Sequence, residues 1–134
     1  MNIEKRIQVT SDPGKNLLKI SFTGKVTTKE MPYLKEQISR ELVRLNKGFS
    51  LQTDLTDLFF METQCAPFIK KIMELLSEHG IEQVVRIIPD PSKDIGLSIM
   101  SRFHYRHGIK IITVKSHREA DLESMKTEPE MSNS

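Results

Sequence analysis

The 134-residue sequence contains no tryptophan and a single cysteine, Cys65. One cysteine cannot form an intramolecular disulfide or supply a cysteine-based zinc cage, so the chain suits a reducing cytosol. No stretch approaches the roughly 18 apolar residues that a membrane span needs. Residues 1–6 mix charges and lack an apolar signal region, which argues against secretion. We therefore expect a cytoplasmic protein without a membrane span.

Charge is unevenly distributed along the chain. The formal net charge is +2, from 20 Lys and Arg residues against 18 Asp and Glu residues. Residues 121–134 contain four acids and one lysine, so this segment carries −3 and the remainder, by difference, carries +5. The excess is mild, whereas a nucleic-acid binder presents a concentrated basic stripe. We expect no nucleic-acid partner, and we expect residues 121–134 to form an acidic, disordered tail.

Turn residues and apolar periodicity divide residues 1–120 into a hairpin followed by three helix–strand units. The predicted strands span residues 3–10, 17–24, 49–55, 84–88 and 109–114, and a short final helix is possible at 117–125. Strand–helix–strand units connect parallel strands through right-handed crossovers. The sequence therefore predicts one α/β domain, with a mixed, mainly parallel sheet of about five strands, an N-terminal antiparallel hairpin and helices packed on the sheet.

Helix starts have their own signals. Thr27 and Glu30 have the spacing of a capping box, and Pro32 falls near the end of the first turn that this box would open. Ser92 is the expected cap of the third helix, in which Phe103 is expected to face inward with Ile95 and Ile99.

The most specific pattern lies in residues 51–64, which read Leu51-Gln52-Thr53-Asp54-Leu55-Thr56-Asp57-Leu58-Phe59-Phe60-Met61-Glu62-Thr63-Gln64. A strand ending in Asp-Leu, a short apolar loop and a turn that opens a helix resemble the STAS domain of bacterial anti-sigma-factor antagonists and of sulfate-transporter tails. The strand at residues 18–24, the early Pro32 and the strand–helix–strand segment from residue 81 to 111 extend the resemblance over about residues 3–120. It implies a non-enzymatic regulatory module, without a cofactor, that binds a kinase-like anti-sigma factor or a related regulator.

In that family, phosphorylation of a serine in the turn before the second helix switches partner binding. The matching turn here reads Glu62-Thr63-Gln64-Cys65, so that Gln64 falls at the phosphoacceptor position and Cys65 replaces a glycine. The switch residue is therefore missing in direct alignment. Thr63 would be the phosphorylation site if the register slips by one, and its simpler interpretation is a helix N-cap.

The resemblance places the partner-binding surface at residues 56–65. The candidate contact residues are Asp57, Phe59, Phe60, Met61, Glu62, Thr63 and Gln64. Three successive large apolar residues cannot all face one core pocket, so one or two are core residues or an exposed pair anchors a partner. We predict Phe60 and Met61 as the anchors. A homodimer is compatible with this arrangement.

A small metal-dependent enzyme is an alternative. Asp54, Asp57 and Glu62 cluster at the C-terminal end of a predicted strand, where α/β proteins often bind ligands. No glycine-rich loop accompanies them to hold a phosphate. We therefore expect neither a catalytic site nor a metal site.

Binding of a small ligand, a lipid or an anion is the second alternative. The candidate anion patch is Arg102, His104, Arg106 and His107. Arginine side chains suit phosphate and carboxylate groups. The simpler interpretation of the patch is a solvated, cationic helix end.

Overall fold

The computed structural model describes residues 6–94 and 96–124. Its elements are β1 (Ile7–Asp12), β2 (Leu17–Val26), α1 (Met31–Leu42), β3 (Ser50–Met61), α2 (Ala66–Glu78), β4 (Gln83–Ile87), α3 (Leu97–His104), β5 (Lys110–Val114) and α4 (His117–Ser124). Within the described ranges no helix is long and apolar enough to cross a membrane.

The five strands form one sheet in the order β1-β2-β3-β4-β5. β1 pairs with β2 antiparallel, and the other pairs are parallel, which confirms the predicted mixed sheet with an N-terminal hairpin. Each crossover moves one strand along the sheet in the same direction. Right-handed crossovers of this kind place their helices on one face, so α1, α2 and α3 cover the same side.

The main core lies between that side of the sheet and the three helices. Ile20, Leu51 and Val84 project from neighbouring strands, and Ile38 of α1 and Ile72 of α2 pack in the same buried cluster. In the regular parts of the strands every second residue faces this side, because strand side chains alternate between faces.

The second face of the sheet is divided between apolar and polar halves. Val85, Ile87 and Val114 form a small cluster with the fully buried Ala120 of α4. The same face of β2 and β3 carries polar residues instead: Lys19, Ser21, Gln52 and Asp54. The helix α4 therefore covers the apolar half of this face, whose exposure to water would be unfavourable.

Hydrogen bonds hold α4 beyond the predicted domain end at residue 120. Gln52 Nε2 donates to Asp121 Oδ1 at 3.2 Å and to Ser124 Oγ at 2.9 Å. Gln83 Nε2 donates to the carbonyl oxygen of Glu123 at 3.0 Å. The first four residues of the predicted disordered tail are thus helical, and residues 125–134 lie outside the described ranges.

The predicted capping box opens a short 3-10 turn that leads into α1. Thr27 Oγ1 accepts from the Lys29 backbone N–H, and Glu30 Oε1 accepts from the Thr27 N–H. Glu30 is only 2% exposed and also accepts from Arg6 Nη1 at 3.1 Å. Pro32 lies in the first turn of α1, where its missing N–H costs nothing.

The predicted start of α3 at Ser92 is wrong. Asp90 caps only a short 3-10 turn at Pro91–Lys93, and α3 begins at Leu97, after Gly96 with a φ of 86°. Among the side chains of this segment that the structure describes, Leu97, Ser101 and Tyr105 are buried, spaced by four. Phe103 lies off this stripe and is 76% exposed, contrary to the prediction, while Ile95 and the side chain of Ile99 lie outside the described residues.

Candidate functional site

The strand β3 continues well past the point at which the sequence predicts a loop. Its residues 50–54 pair with both β2 and β4, whereas Leu55–Met61 pair in strand geometry with β2 alone. We call this second part the β3 extension. The predicted loop over residues 56–64 is therefore wrong up to Met61, because β2 also runs on to Val26 and supplies a partner.

Two irregularities set which side chains of the β3 extension point outward. After Asp54, three residues of β3 lie opposite two residues of β2. After Leu58, two residues of β3 lie opposite one residue of β2. The buried side chains are consequently spaced by three, at Leu55, Leu58 and Met61. Phe59 is 80% exposed and Phe60 is 45% exposed. Met61 is only 4% exposed, so the prediction that it anchors a partner is wrong: it is a core residue.

Lys25 lies beside Phe60 across the β2–β3 pair. The two residues are register partners, and Lys25 Nζ is 6.0 Å from the centroid of the Phe60 ring. This distance is at the outer limit of a cation–π contact. Lys25 thus places a positive charge on one side of the exposed aromatic pair. Asp57 is exposed on β3, the strand that carries the pair.

The turn after the β3 extension is fixed by Glu62. Its backbone N–H donates to Val26 O at 3.0 Å, and its carbonyl accepts from the Cys65 N–H at 3.0 Å. Its side-chain Oε1 accepts from the Thr28 N–H at 3.3 Å, which ties the turn to the start of α1. Glu62 occupies the N-cap position of the 3-10 turn Thr63–Cys65, with no side-chain cap bond.

Thr63 and Gln64 are exposed on this turn. The Thr63 hydroxyl donates to Gln64 Oε1 at 3.4 Å, and the N-cap positions are taken by Glu62 for the 3-10 turn and by Cys65 for α2. The interpretation of Thr63 as a helix N-cap is therefore wrong. Its hydroxyl is on the surface, next to Glu62 and four residues from Phe59 in the sequence.

Cys65 belongs to the core beneath the turn. It is fully buried, with Sγ 4.0 Å from Val26 O. Burial, and then the negative charges of Glu62 and Glu30, raise the pKa of the thiol to about 11. The thiol is therefore protonated near neutral pH, which suits a small buried side chain rather than a nucleophile.

Phe68 of α2 is a further exposed aromatic residue. It is 43% exposed and lines a groove of about 410 Å³ between α1 and α2, together with Pro32, Lys35, Lys71 and Leu75. Phe68 was not among the predicted site residues. The sequence does indicate its exposure, because Ile69, Ile72, Met73 and Leu76 already form a complete inward-facing stripe at helical spacing.

The three carboxylates considered for a metal-dependent enzyme have separate environments. Asp54 Oδ1 accepts from the Thr56 N–H at 2.9 Å, and Asp54 Oδ2 lies 2.6 Å from His117 Nε2. Glu62 is bonded to Thr28, and Asp57 is exposed. Within the described ranges no group of three or more His, Cys, Asp or Glu residues is placed to hold a metal ion.

The predicted anion patch lies at the end of α3. The helix ends at His104, so Arg106 and His107 belong to the following turn rather than to the helix. Arg102, Arg106 and His107 are exposed, and His104 is partly exposed. The Arg106 N–H donates to Ser77 Oγ at 2.9 Å, which fixes the turn against α2.

No family model matches the sequence, and no curated protein matches it. Solved structures do match the fold. An uncharacterized DUF3478-family protein with a SpoIIAA-like fold, from Shewanella loihica PV-4, superposes with a TM-score of 0.66 at 15% identity, over 87% of this chain and 90% of that one.

Two anti-sigma factor antagonists match as well. The unphosphorylated form of SpoIIAA gives a TM-score of 0.58 at 12% identity, covering 90% of this chain and 97% of that one. An anti-sigma factor antagonist from Mycobacterium paratuberculosis gives 0.58 at 15% identity, covering 90% and 93%. At such identities the likeness concerns the fold, and this chain has the SpoIIAA-like fold of STAS domains.

Proposed function

We propose that this chain is a non-enzymatic regulatory module that binds a protein partner through the end of β3 and the turn that follows. The contact residues are Asp57, Phe59, Phe60, Glu62, Thr63 and Gln64, which we call the partner surface. The observation that carries the proposal is the adjacent exposed pair Phe59 and Phe60. The shared fold with anti-sigma factor antagonists supports the same class of function.

The aromatic pair has the properties of a binding anchor. Two neighbouring phenylalanines keep much of their surface in water, between the buried residues Leu58 and Met61 of the same strand. Such a rigid base limits the entropy lost when a partner covers the rings. Aromatic side chains at the centre of an interface commonly supply most of its binding energy.

Charged groups surround the pair and favour a partner with basic residues. Asp57 is exposed and Glu62 is partly exposed, whereas Lys25 contributes one positive charge beside Phe60. Complementary charge at the rim sets orientation and association rate more than affinity. A kinase-like anti-sigma factor or a related regulator is the proposed class of partner.

Phosphorylation of Thr63 is part of the proposal. The hydroxyl is exposed, and a phosphate there would add nearly two negative charges next to Glu62. The acidic rim attracts a basic partner, so added negative charge does not by itself oppose binding. We expect phosphorylation to weaken binding only if the phosphate displaces the apolar contact. Thr63→Glu against Thr63→Val, compared for partner affinity, measures the effect, and phosphopeptide mapping of protein from the host tests whether the modification occurs.

The test of the partner surface is an affinity pull-down from lysate of the native host, read by mass spectrometry. Wild type is compared with Phe60→Asp and with Val43→Asp, which changes an exposed apolar residue just after α1, 84% exposed. Recovery of a kinase-like regulator by wild type and Val43→Asp, but not by Phe60→Asp, would support the proposal. Equal recovery by all three would contradict it. The cytoplasmic location, the homodimer and the lack of a nucleic-acid partner stay predictions.

A further inference from the structure

A long segment of the sequence is free of acidic residues. Between Asp94 and Glu119 there is no Asp or Glu, whereas the basic residues are Arg102, Arg106, Lys110, Lys115 and Arg118. This segment holds α3, β5 and the start of α4. The basic excess of the chain is therefore more concentrated than its overall composition suggests.

The fold gathers part of this segment at one corner of the molecule. Arg102 and Phe103 lie in the last turn of α3, and Lys110 begins β5. The intervening turn is closed by a bond from the Ile109 N–H to Arg106 O at 3.2 Å. We call Arg102, Phe103, Arg106, His107 and Lys110 the basic corner, and all five are exposed.

The basic corner presents its aromatic ring from a rigid support. Phe103 is 76% exposed, while Ser101 of the same helix and Tyr105, which caps its end, are buried. Ser101 Oγ donates to Leu97 O at 2.7 Å, which holds the helix that carries the ring. Acidic residues of the adjoining elements are Glu78, which ends α2, Glu82, just before β4, and Glu123 of α4, whose carbonyl accepts from Gln83, the register partner of Lys110.

The basic corner and the partner surface lie at opposite ends of the sheet. Ser50, Gln83 and Lys110 are in one register row at the amino ends of the parallel strands. The β3 extension continues past the other end, beyond Asp54. A surface bound at the basic corner would therefore leave Phe59 and Phe60 accessible.

We propose that the basic corner docks the protein on an anionic membrane surface. Arg102, Arg106 and Lys110 would contact lipid phosphates, and Phe103 would enter the boundary between headgroups and acyl chains. Charge complementarity favours an anionic surface, and an exposed ring among cations is typical of interfacial binding. Single-stranded nucleic acid is favoured by successive aromatic platforms, whereas the basic corner has Phe103 alone.

The test is co-sedimentation with vesicles of phosphatidylcholine alone and of phosphatidylcholine mixed with phosphatidylglycerol. We expect retention on the anionic vesicles only, decreasing from low salt to about 0.15 M, where the Debye length is about 8 Å. Arg102→Gln and Arg106→Gln should each weaken partitioning about fivefold. Phe103→Ser should weaken it about tenfold, through lost burial of the ring.

Matched controls lie near the end of α1, which contacts β1 at the opposite edge of the sheet from β5. Arg40→Gln removes an exposed arginine of α1, and Val43→Ser removes an exposed apolar side chain, so both should partition as wild type does. Circular dichroism of every variant checks the fold. Absence of retention on anionic vesicles, or equal retention of Phe103→Ser and wild type, would overturn the proposal. So would binding of a labelled single-stranded RNA with no retention on vesicles.

Discussion

His117 Nε2 lies 2.6 Å from Asp54 Oδ2, so the first residue of α4 is bonded to the last residue of β3 that pairs with β4. Glutamine bonds at its other end, and the burial of Ala120 against Val85, Ile87 and Val114, also hold α4 on the sheet. A helix with so little apolar contact depends on its polar bonds for its position.

This bond makes the stability of the protein dependent on pH. Burial alone would raise the pKa of Asp54, but hydrogen bonds from Thr56 and His117 outweigh it and lower the pKa. A lowered pKa means that the stabilisation is present above the unfolded value of about 3.9 and is lost as pH falls through the folded pKa. We expect Asp54→Asn to lower the urea midpoint at about pH 7, with a smaller difference from wild type at about pH 3. Asp57→Asn, at an exposed position, is the control, and a pH-independent difference for Asp54→Asn would contradict the prediction.

Neighbouring residues of the β3 extension should differ sharply in their effect on stability. Met61 is buried, so Met61→Ala should lower the free energy of unfolding by about 2–4 kcal/mol. Phe60→Ser, at a half-exposed position, should cost less than about 1 kcal/mol. Denaturant titration measures both, and comparable losses would mean that Phe60 is not a surface residue.

Glu30 combines a helix cap with a buried ion pair. Glu30→Ala removes the acceptor for the Thr27 N–H and leaves the partly buried Arg6 without its carboxylate. We expect a loss of about 3 kcal/mol in the free energy of unfolding. Glu36→Ala, on the exposed side of α1, should change it by less than about 0.5 kcal/mol. Thermal or urea unfolding of the two variants gives the comparison, and similar losses would argue against a structural role for Glu30.

Cys65 should be unreactive in the folded protein. The thiol is buried and its pKa is raised to about 11, so the thiolate that reacts with alkylating agents is scarce at neutral pH. Iodoacetamide should modify Cys65 in urea but not under native conditions, as read by intact-mass spectrometry. Rapid modification of the native protein would show that the turn at Glu62 opens readily.

The order of elements was predictable because apolar spacing and turn residues mark them locally. The capping box of Thr27 and Glu30 is confirmed, as is the hairpin before the parallel strands. The β3 extension was not predictable by the same reasoning. Its bulges space Leu55, Leu58 and Met61 by three, which hides the period of two by which strands are recognised.

Long-range contacts account for the other differences. Nothing local predicts that His117 meets Asp54, which precedes it by 63 residues. The short final helix considered at residues 117–125 is present as α4, and Gln52 and Gln83 hold Asp121, Glu123 and Ser124 in it, although the acidic composition assigned these residues to the tail. The start of α3 was missed because Ser92 after a proline looks like a cap, while Gly96 in a left-handed conformation sets the actual start.

The sequential strand order has a consequence for how the chain folds. Each strand pairs with the strand that follows it in the sequence, so no pairing has to wait for a distant segment. Closing each crossover costs entropy that grows only slowly with its length. During synthesis from the N-terminus, the hairpin of β1 and β2 can form first, and every later strand adds to an edge that already exists. The sheet can therefore assemble from β1 to β5 in the order in which the strands are synthesised.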